Sequence, residues 1–471
     1  MRIRLPRTAS YADASGGDPS DGHMRSDNRL ALLDQAFYSG HRAAGQKEVM
    51  QVGWLYEHPL DLDELKRFHR DLAYGLLGRR IERSPLPFGR YRWVSDRQPS
   101  ELDIAERARP RAEVGDWLDE CSQLPIDAES GPAWRLSVLP LTDGSTAVTL
   151  VMSHYVIDGL GGVIAVTLAI LGDTRDYGYP PPRSRKRLHA LLQDAGEAAR
   201  GTPAAGRALV AALREAQRRR RDGAPSVASR GVVGTETELD EPVLVPGISL
   251  HIDIDQWDSR AAALGGTEST LAAALTAKLG EHMGRRKSDG EVTIWLLVSQ
   301  RTATDTRAVA VSFARASIDP THVTSDLGAA RTAIKHALQT LRETPDQAME
   351  LAPMTPFTPN RTWRQLVDYA LDDPDQPAVC SNLGEAGPVV TRPDGTHAEY
   401  AYVRGRSQHV TRRWVERTGG QLQVFYGRAS ELNRICIHIL GYQPDGVTTR
   451  PALRDLVART LAEFDLTAEI D

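Results

Sequence analysis

Two side chains capable of proton chemistry stand four positions apart in "VMSHYVIDGLGG", residues 151–162: His154 and Asp158. An imidazole with a near-neutral pKa suits general-base work at physiological pH. It can take a proton from a hydroxyl or an amine as that group attacks a carbonyl. A thiolate leaving group needs little help to depart. Acyl transfer from a thioester therefore needs one histidine and no covalent acyl-enzyme. Asp158 would act one step back, in an ion pair that folds the loop and fixes the imidazole. Gly159 would let the backbone turn sharply and leave space beside the base. As a bare pattern, His-x-x-x-Asp also describes a satisfied core pair, so its position in the chain has to decide.

That position is the clearest local structure in the sequence. In "WRLSVLP", Trp134, Leu136 and Val138 alternate with Arg135 and Ser137. "LTDGST" holds an Asp-Gly turn signal, and "AVTLVMSHYV" returns as a mostly apolar strand. The two runs read as an antiparallel hairpin whose second strand lies deep in a sheet. "GGVIAVTLAILG" then reads as a buried helix, so His154 falls where a central strand passes into a turn and a helix.

The rest of the chain reads as two lobes. Before the hairpin, a helix is expected in "DNRLALLDQAFYSG" with Asp27 or Asn28 as cap. A strand follows in "KEVMQVGWLYEH" and a helix in "DLDELKRFHRDLAYGLL". From Pro180 the chain turns proline-rich and then Ala-, Leu- and Arg-rich. This stretch predicts two amphipathic linker helices joined near Gly201 to Gly206 and closed by the run Arg218 to Arg221. That run could meet phosphates, an acidic carrier protein or lipid headgroups, though a solvated helix end is the simpler and favoured explanation. After the linker come strands in "GISLHIDID", "EVTIWLLVSQR", "AVAVSFARASI", "QPAVCSNLGEAGP" and "GQLQVFYG". A helical stretch breaks at Gly265-Gly266, with Thr267 or Ser269 as the next cap, and an amphipathic helix ends the chain. Expected boundaries are a flexible tail over 1–27, a first lobe over 28–182, a linker over 183–245 and a second lobe over 246–471. The class is α/β with mixed sheets.

A length of 471 residues favours two lobes over one core. The net charge of -5 gives no global attraction to nucleic acid, and no nucleic-acid partner is expected. Three scattered cysteines, Cys121, Cys380 and Cys436, form no CxxC pair and fit a reducing cytoplasm. No apolar run reaches the length of a spanning helix, and the first residues lack a secretory apolar core. The histidines show no metal-ligand spacing, and no metal is expected. "GLGGVI" fails as a dinucleotide fingerprint because Ile164 stands where the third glycine belongs.

"SHYVIDG" resembles the HxxxDG core of the chloramphenicol acetyltransferase-like superfamily. That group holds nonribosomal peptide condensation domains, polyketide-associated acyltransferases and wax ester synthase/diacylglycerol acyltransferases. "GPAWRLSVLPLTDGSTAVTLVMSH" is similar to the strand pair leading into that motif. "LLVSQRTATDTRAVAVSFARASI" resembles a second-lobe segment in which Arg301 matches an arginine, while Ala308-Val309 replace a Gly-Asn pair. "SNLGEAG" resembles an Asn-containing segment before a crossover.

The resemblance implies a V-shaped pair of lobes with a tunnel between them. It implies His154 as base, Asp158 as its structural partner and Gly159 as a turn residue. It also implies an arginine on Asp158, for which Arg80, Arg83 and Arg90 are candidates. Ser153 replaces the first histidine of the common HHxxxDG form. Asn382 is a candidate donor to the thioester oxyanion, with Ser153 and Ser381 ranked below it. The expectation is a monomeric cytoplasmic acyltransferase with no tightly bound cofactor. Acyl-CoA or a phosphopantetheinyl carrier thioester would serve as co-substrate, and a hydroxyl or amine compound as acceptor. A carrier protein and peripheral membrane contact through the basic linker are candidate partners. A freestanding condensation-type enzyme forming an amide is the alternative, and a non-catalytic member of the fold is another.

Overall fold

The computed structural model of the chain describes residues 28–221, 239–302, 304–344, 347–371, 373 and 375–471. The tail expected over 1–27 lies outside them, as do the side chains of Arg218 to Arg221. The amino-terminal half contributes β1 (Lys47–Tyr56), a ribbon of β2 (Arg79–Glu82) and β3 (Arg92–Ser95), then β4 (Asp103–Ile104), β5 (Trp134–Pro140) and β6 (Thr146–Ser153). The carboxy-terminal half contributes β7 (Gly247–Asp253), β8 (Val292–Ser299), β9 (Val311–Ile318), β10 (Ala378–Glu385), β11 (Tyr400–Gln408), β12 (Gln421–Ala429), β13 (Arg434–Tyr442) and β14 (Glu469–Ile470). Helices of the first half are α1 (Leu32–Ala44), α2 (Leu62–Asp71), α3 (Val114–Gln123) and α4 (Gly159–Ile170), and α5 (Arg187–Arg221) follows them.

Two sheets carry the architecture. The first runs β11-β1-β6-β5-β4 and the second β14-β7-β13-β12-β10-β8-β9. The expected hairpin is present, with β6 between β5 and β1, so Met152 faces Trp134 on one side and Met50 on the other. Burial on both sides explains why "TAVTLVMS" is apolar almost throughout rather than alternating. In the second sheet β10 runs parallel to both β8 and β12 and the other pairs are antiparallel, which gives the mixed α/β class expected.

Three expectations need correction. First, α1 begins at Leu32 behind Ala31, which offers no side-chain cap, while Asn28 instead bonds across to Trp93 O. Second, the linker is one continuous helix over Arg187–Arg221 with Pro203 inside it. Packing holds it together past the break: Asp194 and Glu197 turn inward onto Arg92, and Phe357 lies beside Gly201. Third, a strand from the segment assigned to the second lobe joins the first sheet. β11 pairs along β1 with Val403 opposite Val52.

The sequence hid β11 because it reads as polar. Arg404 and Arg406 are nevertheless buried, both bonded to Asp119 of α3, which also receives Arg450. Burial alone would raise the Asp119 pKa, but the three guanidiniums outweigh it and hold the carboxyl below its usual range. Ala308, Val390 and Ala398 of the carboxy-terminal half likewise sit in the apolar core of the first half. The two halves are thus interleaved by one strand and several loop residues.

Candidate functional site

Main-chain bonds place His154. Ser153, the last residue of β6, pairs with Val49, and its N–H reaches Ala133 O at 2.8 Å. The His154 N–H then donates to Glu48 O at 2.9 Å, and the Val156 N–H closes the turn on Ser153 O. Four residues on, Asp158 caps α4, its Oδ1 accepting from Gly161 N at 2.8 Å. The spacing that raised the chemical question is therefore a strand end, one turn and a helix cap.

The His154 ring packs against Phe37 of α1, centroids 5.3 Å apart, and Phe37 packs in turn against His41 and Tyr155. The residue as a whole is partly buried, and Nδ1 is enclosed with no hydrogen-bond partner. Burial lowers the imidazole pKa below its ordinary 6.5, against the opposing pull of its own carbonyl, Asp158 and Glu48. The ring is thereby kept neutral and ready to accept a proton at neutral pH.

Asp158 is bound from the other half of the chain. Its carboxylate takes a two-pronged ion pair from Arg301, Nε to Oδ1 at 2.9 Å and Nη2 to Oδ2 at 2.7 Å, and Oδ2 also accepts from Ala310 N at 2.8 Å. Both side chains are buried. Arg301 further donates to the carbonyls of Asp305, Arg307 and Ala308, so it organises the whole β8–β9 loop. The expected arginine partner is therefore Arg301 and not Arg80, Arg83 or Arg90. Arg80 donates to Ser130 O, Arg83 pairs with Glu129, and Arg90 donates to Leu30 O.

Two residues that sequence reasoning missed complete the grip on this loop. Asp34 of α1 is buried and accepts from the N–H groups of Ala308 and Val309, each at 2.9 Å. Burial raises its pKa, and the two amides and nearby arginines oppose that rise. Arg79 of β2 is fully buried, stacks on Trp93 at 3.9 Å and donates to Val156 O and Thr306 O. It thus ties the His154 turn to the loop directly. Ala308 and Val309 supply only main-chain amides to Asp34, so this contact does not need the missing Gly-Asn side chain. No local signal marked Asp34 or Arg79, since each acts on residues far away in sequence.

The remaining candidates are placed as follows. Gly159 does not sit in the left-handed region, so a sharp turn is not its reason. A Cβ there would stand 2.6 Å from Leu383 Cδ2, and glycine admits the end of β10 against the start of α4. Gly161 is equally constrained, because a Cβ would meet Ile157, Asp158 Oδ1 and Arg301 Cζ at 2.8, 3.0 and 3.2 Å. Asn382 is exposed and committed locally, Oδ1 accepting from Gly384 N at 2.7 Å and Nδ2 donating to Ser269 Oγ at 3.3 Å. Ser381 is buried in β10. Ser153 is buried and lines a cavity of about 210 Å³ with Tyr38, Gln46, Glu48 and Tyr155. Among the described residues no three His, Cys, Asp or Glu side chains cluster as metal ligands. Burial pushes the thiols of Cys121, Cys380 and Cys436 up to about 12, which makes each a poor nucleophile.

No family model and no curated protein sequence matches this chain. Solved structures do match along nearly its full length. The first condensation domain of the CDA synthetase superposes with a TM-score of 0.55 at 14% identity, covering 94% of this chain and 100% of that one. The wax ester synthase/diacylglycerol acyltransferase from Marinobacter aquaeolei VT8 gives 0.53 at 14% identity, covering 93% and 98%. Polyketide synthase associated protein 5 from Mycobacterium tuberculosis gives 0.51 at 16% identity, covering 92% and 97%. The chain has the fold that condensation domains and this acyltransferase share.

Proposed function

We propose that the chain is a transferase of the condensation and acyltransferase type, moving an acyl group from a thioester to a hydroxyl or amine with His154 as general base. Nε2 takes the proton of the attacking hydroxyl or amine while the nucleophile bonds to the thioester carbonyl. The tetrahedral adduct then expels the thiolate, and the same nitrogen returns the proton to sulfur. The products are an ester or amide and a free thiol. The observation that carries this reading is the partly buried His154 at a strand end, beside a loop locked by the Asp158–Arg301 pair, with burial holding the imidazole pKa below its ordinary value. Asp158 and Arg301 are positioning residues in this account, since their polar atoms are taken up by each other and by main-chain groups.

The test is release of free thiol when the protein meets acyl-CoA and a panel of alcohols and amines. His154→Ala should lower the rate to background, and equal rates in both proteins would remove His154 from the mechanism. The likeness to a condensation domain supports a second reading, in which the donor is carried on a phosphopantetheinyl protein and the product is an amide. In that case acyl-CoA is a poor donor and an acylated carrier protein a good one. If neither donor reacts, the chain is a non-catalytic member of the fold.

A further inference from the structure

Helix α5 presents an apolar face to solvent. At 3.6 residues per turn, Leu188, Leu192, Val210 and Leu213 fall in one stripe, with Ala195 and Ala199 between them. The four larger side chains are exposed by 70%, 67%, 45% and 56%. A stripe facing away from the core is the reverse of what a packed surface helix needs. Cations border it: Arg200, Arg207 and Arg214 recur every seven residues along one margin, all exposed, with no ion pair to another described residue. The helix's two described carboxylates, Asp194 and Glu197, point the other way and pair with buried Arg92. The outer face thus offers apolar groups and positive charge with no described acid. It extends roughly 38 Å from Leu188 to Leu213 at 1.5 Å per residue. No described helix is long and apolar enough to cross a membrane.

We propose that the outer face of α5 docks on an anionic lipid surface, lying in the plane of the headgroups. Leucine and valine enter the acyl boundary, and the row of arginines meets lipid phosphates. Charge complementarity selects this occupant. The stripe has small residues in its middle and larger apolar ones toward both ends, a low relief suited to a planar partner. The proposal rests on α5 alone and stands whether or not His154 is a catalytic base.

The experiment is flotation of the full chain with vesicles of phosphatidylcholine, and with phosphatidylcholine containing phosphatidylglycerol. The wild type should float only with the second, and raised salt should release it. Arg200→Gln/Arg207→Gln/Arg214→Gln should lower partition about a hundredfold, at about 1 kcal/mol per arginine. Leu192→Ser/Val210→Ser/Leu213→Ser should also abolish flotation with an unchanged circular dichroism spectrum, because all three side chains are already exposed. Absence of wild-type flotation with the anionic vesicles overturns the proposal. So does flotation indifferent to salt, or either triple variant floating like the wild type. Binding of an acidic carrier protein in place of vesicles would assign the face to that partner and overturn it too.

Discussion

Replacing Asp158 by asparagine tests the positioning account most directly. The carboxylate accepts four hydrogen bonds, from Arg301 Nε and Nη2, Ala310 N and Gly161 N. Asparagine has nearly the same shape but offers one acceptor oxygen, and its NH2 must face donors. It also leaves the buried Arg301 guanidinium without a counter-charge. Removing one partner of a buried ion pair costs about 3–5 kcal/mol. Unfolding entropy of about 2.1 cal/mol/K per residue makes that a fall in Tm of roughly 3–5 °C, if the two halves melt as one unit. Differential scanning calorimetry reads this shift, and the thiol-release assay should show kcat/KM falling with it, because the His154 turn and the β8–β9 loop lose their shared anchor. The double variant Asp158→Asn/Arg301→Met removes both charges. Its destabilisation should be less than the sum of the single variants by about 0.5–3 kcal/mol. Strict additivity, or an Asp158→Asn protein with wild-type Tm and activity, would refute the claim that this ion pair holds the site together.

Three further predictions rest on the same geometry. Burial lowers the His154 pKa, so the acid limb of kcat/KM should lie below pH 6.5, with activity retained as pH falls through that value; a limb at or above 6.5 would show an imidazole that is not desolvated. By the same sign, the neutral ring contributes stability that is present above 6.5 and is lost as pH falls below it. Gly159→Ala should cost about 0.5–1.5 kcal/mol by pushing the flexible end of Leu383 off its rotamer, and Leu383→Ala in the same chain should recover part of that loss in a thermal melt.

Much of the site was legible one residue at a time. The apolar run into Ser153, the Asp-Gly turn before it and the helix after Asp158 follow from local pattern, because β6 and α4 are adjacent in sequence and buried for reasons each shows alone. His154 and Asp158 were therefore placed correctly at a strand end and a helix start. The arginine was not. Arg80, Arg83 and Arg90 lie nearer in sequence to the motif, but Arg301 reaches Asp158 across a separation of 143 residues. Residue type and position alone make Asn382 a candidate donor, but its side chain is used by Gly384 and Ser269.

What the sequence determined by itself is the local order of elements and the position of His154 at a strand end, since periodicity and turn chemistry involve neighbours along the chain. The tertiary structure alone decided which groups fix the turn that carries His154. Asp34, Arg79 and Arg301 bond to main-chain or side-chain atoms supplied by distant segments, and β11 buries arginines that read as surface residues until Asp119 meets them. Long-range charge pairing and hydrogen bonding leave no periodic trace in the chain, because they depend on where two segments come to rest and not on the order of residues in either one.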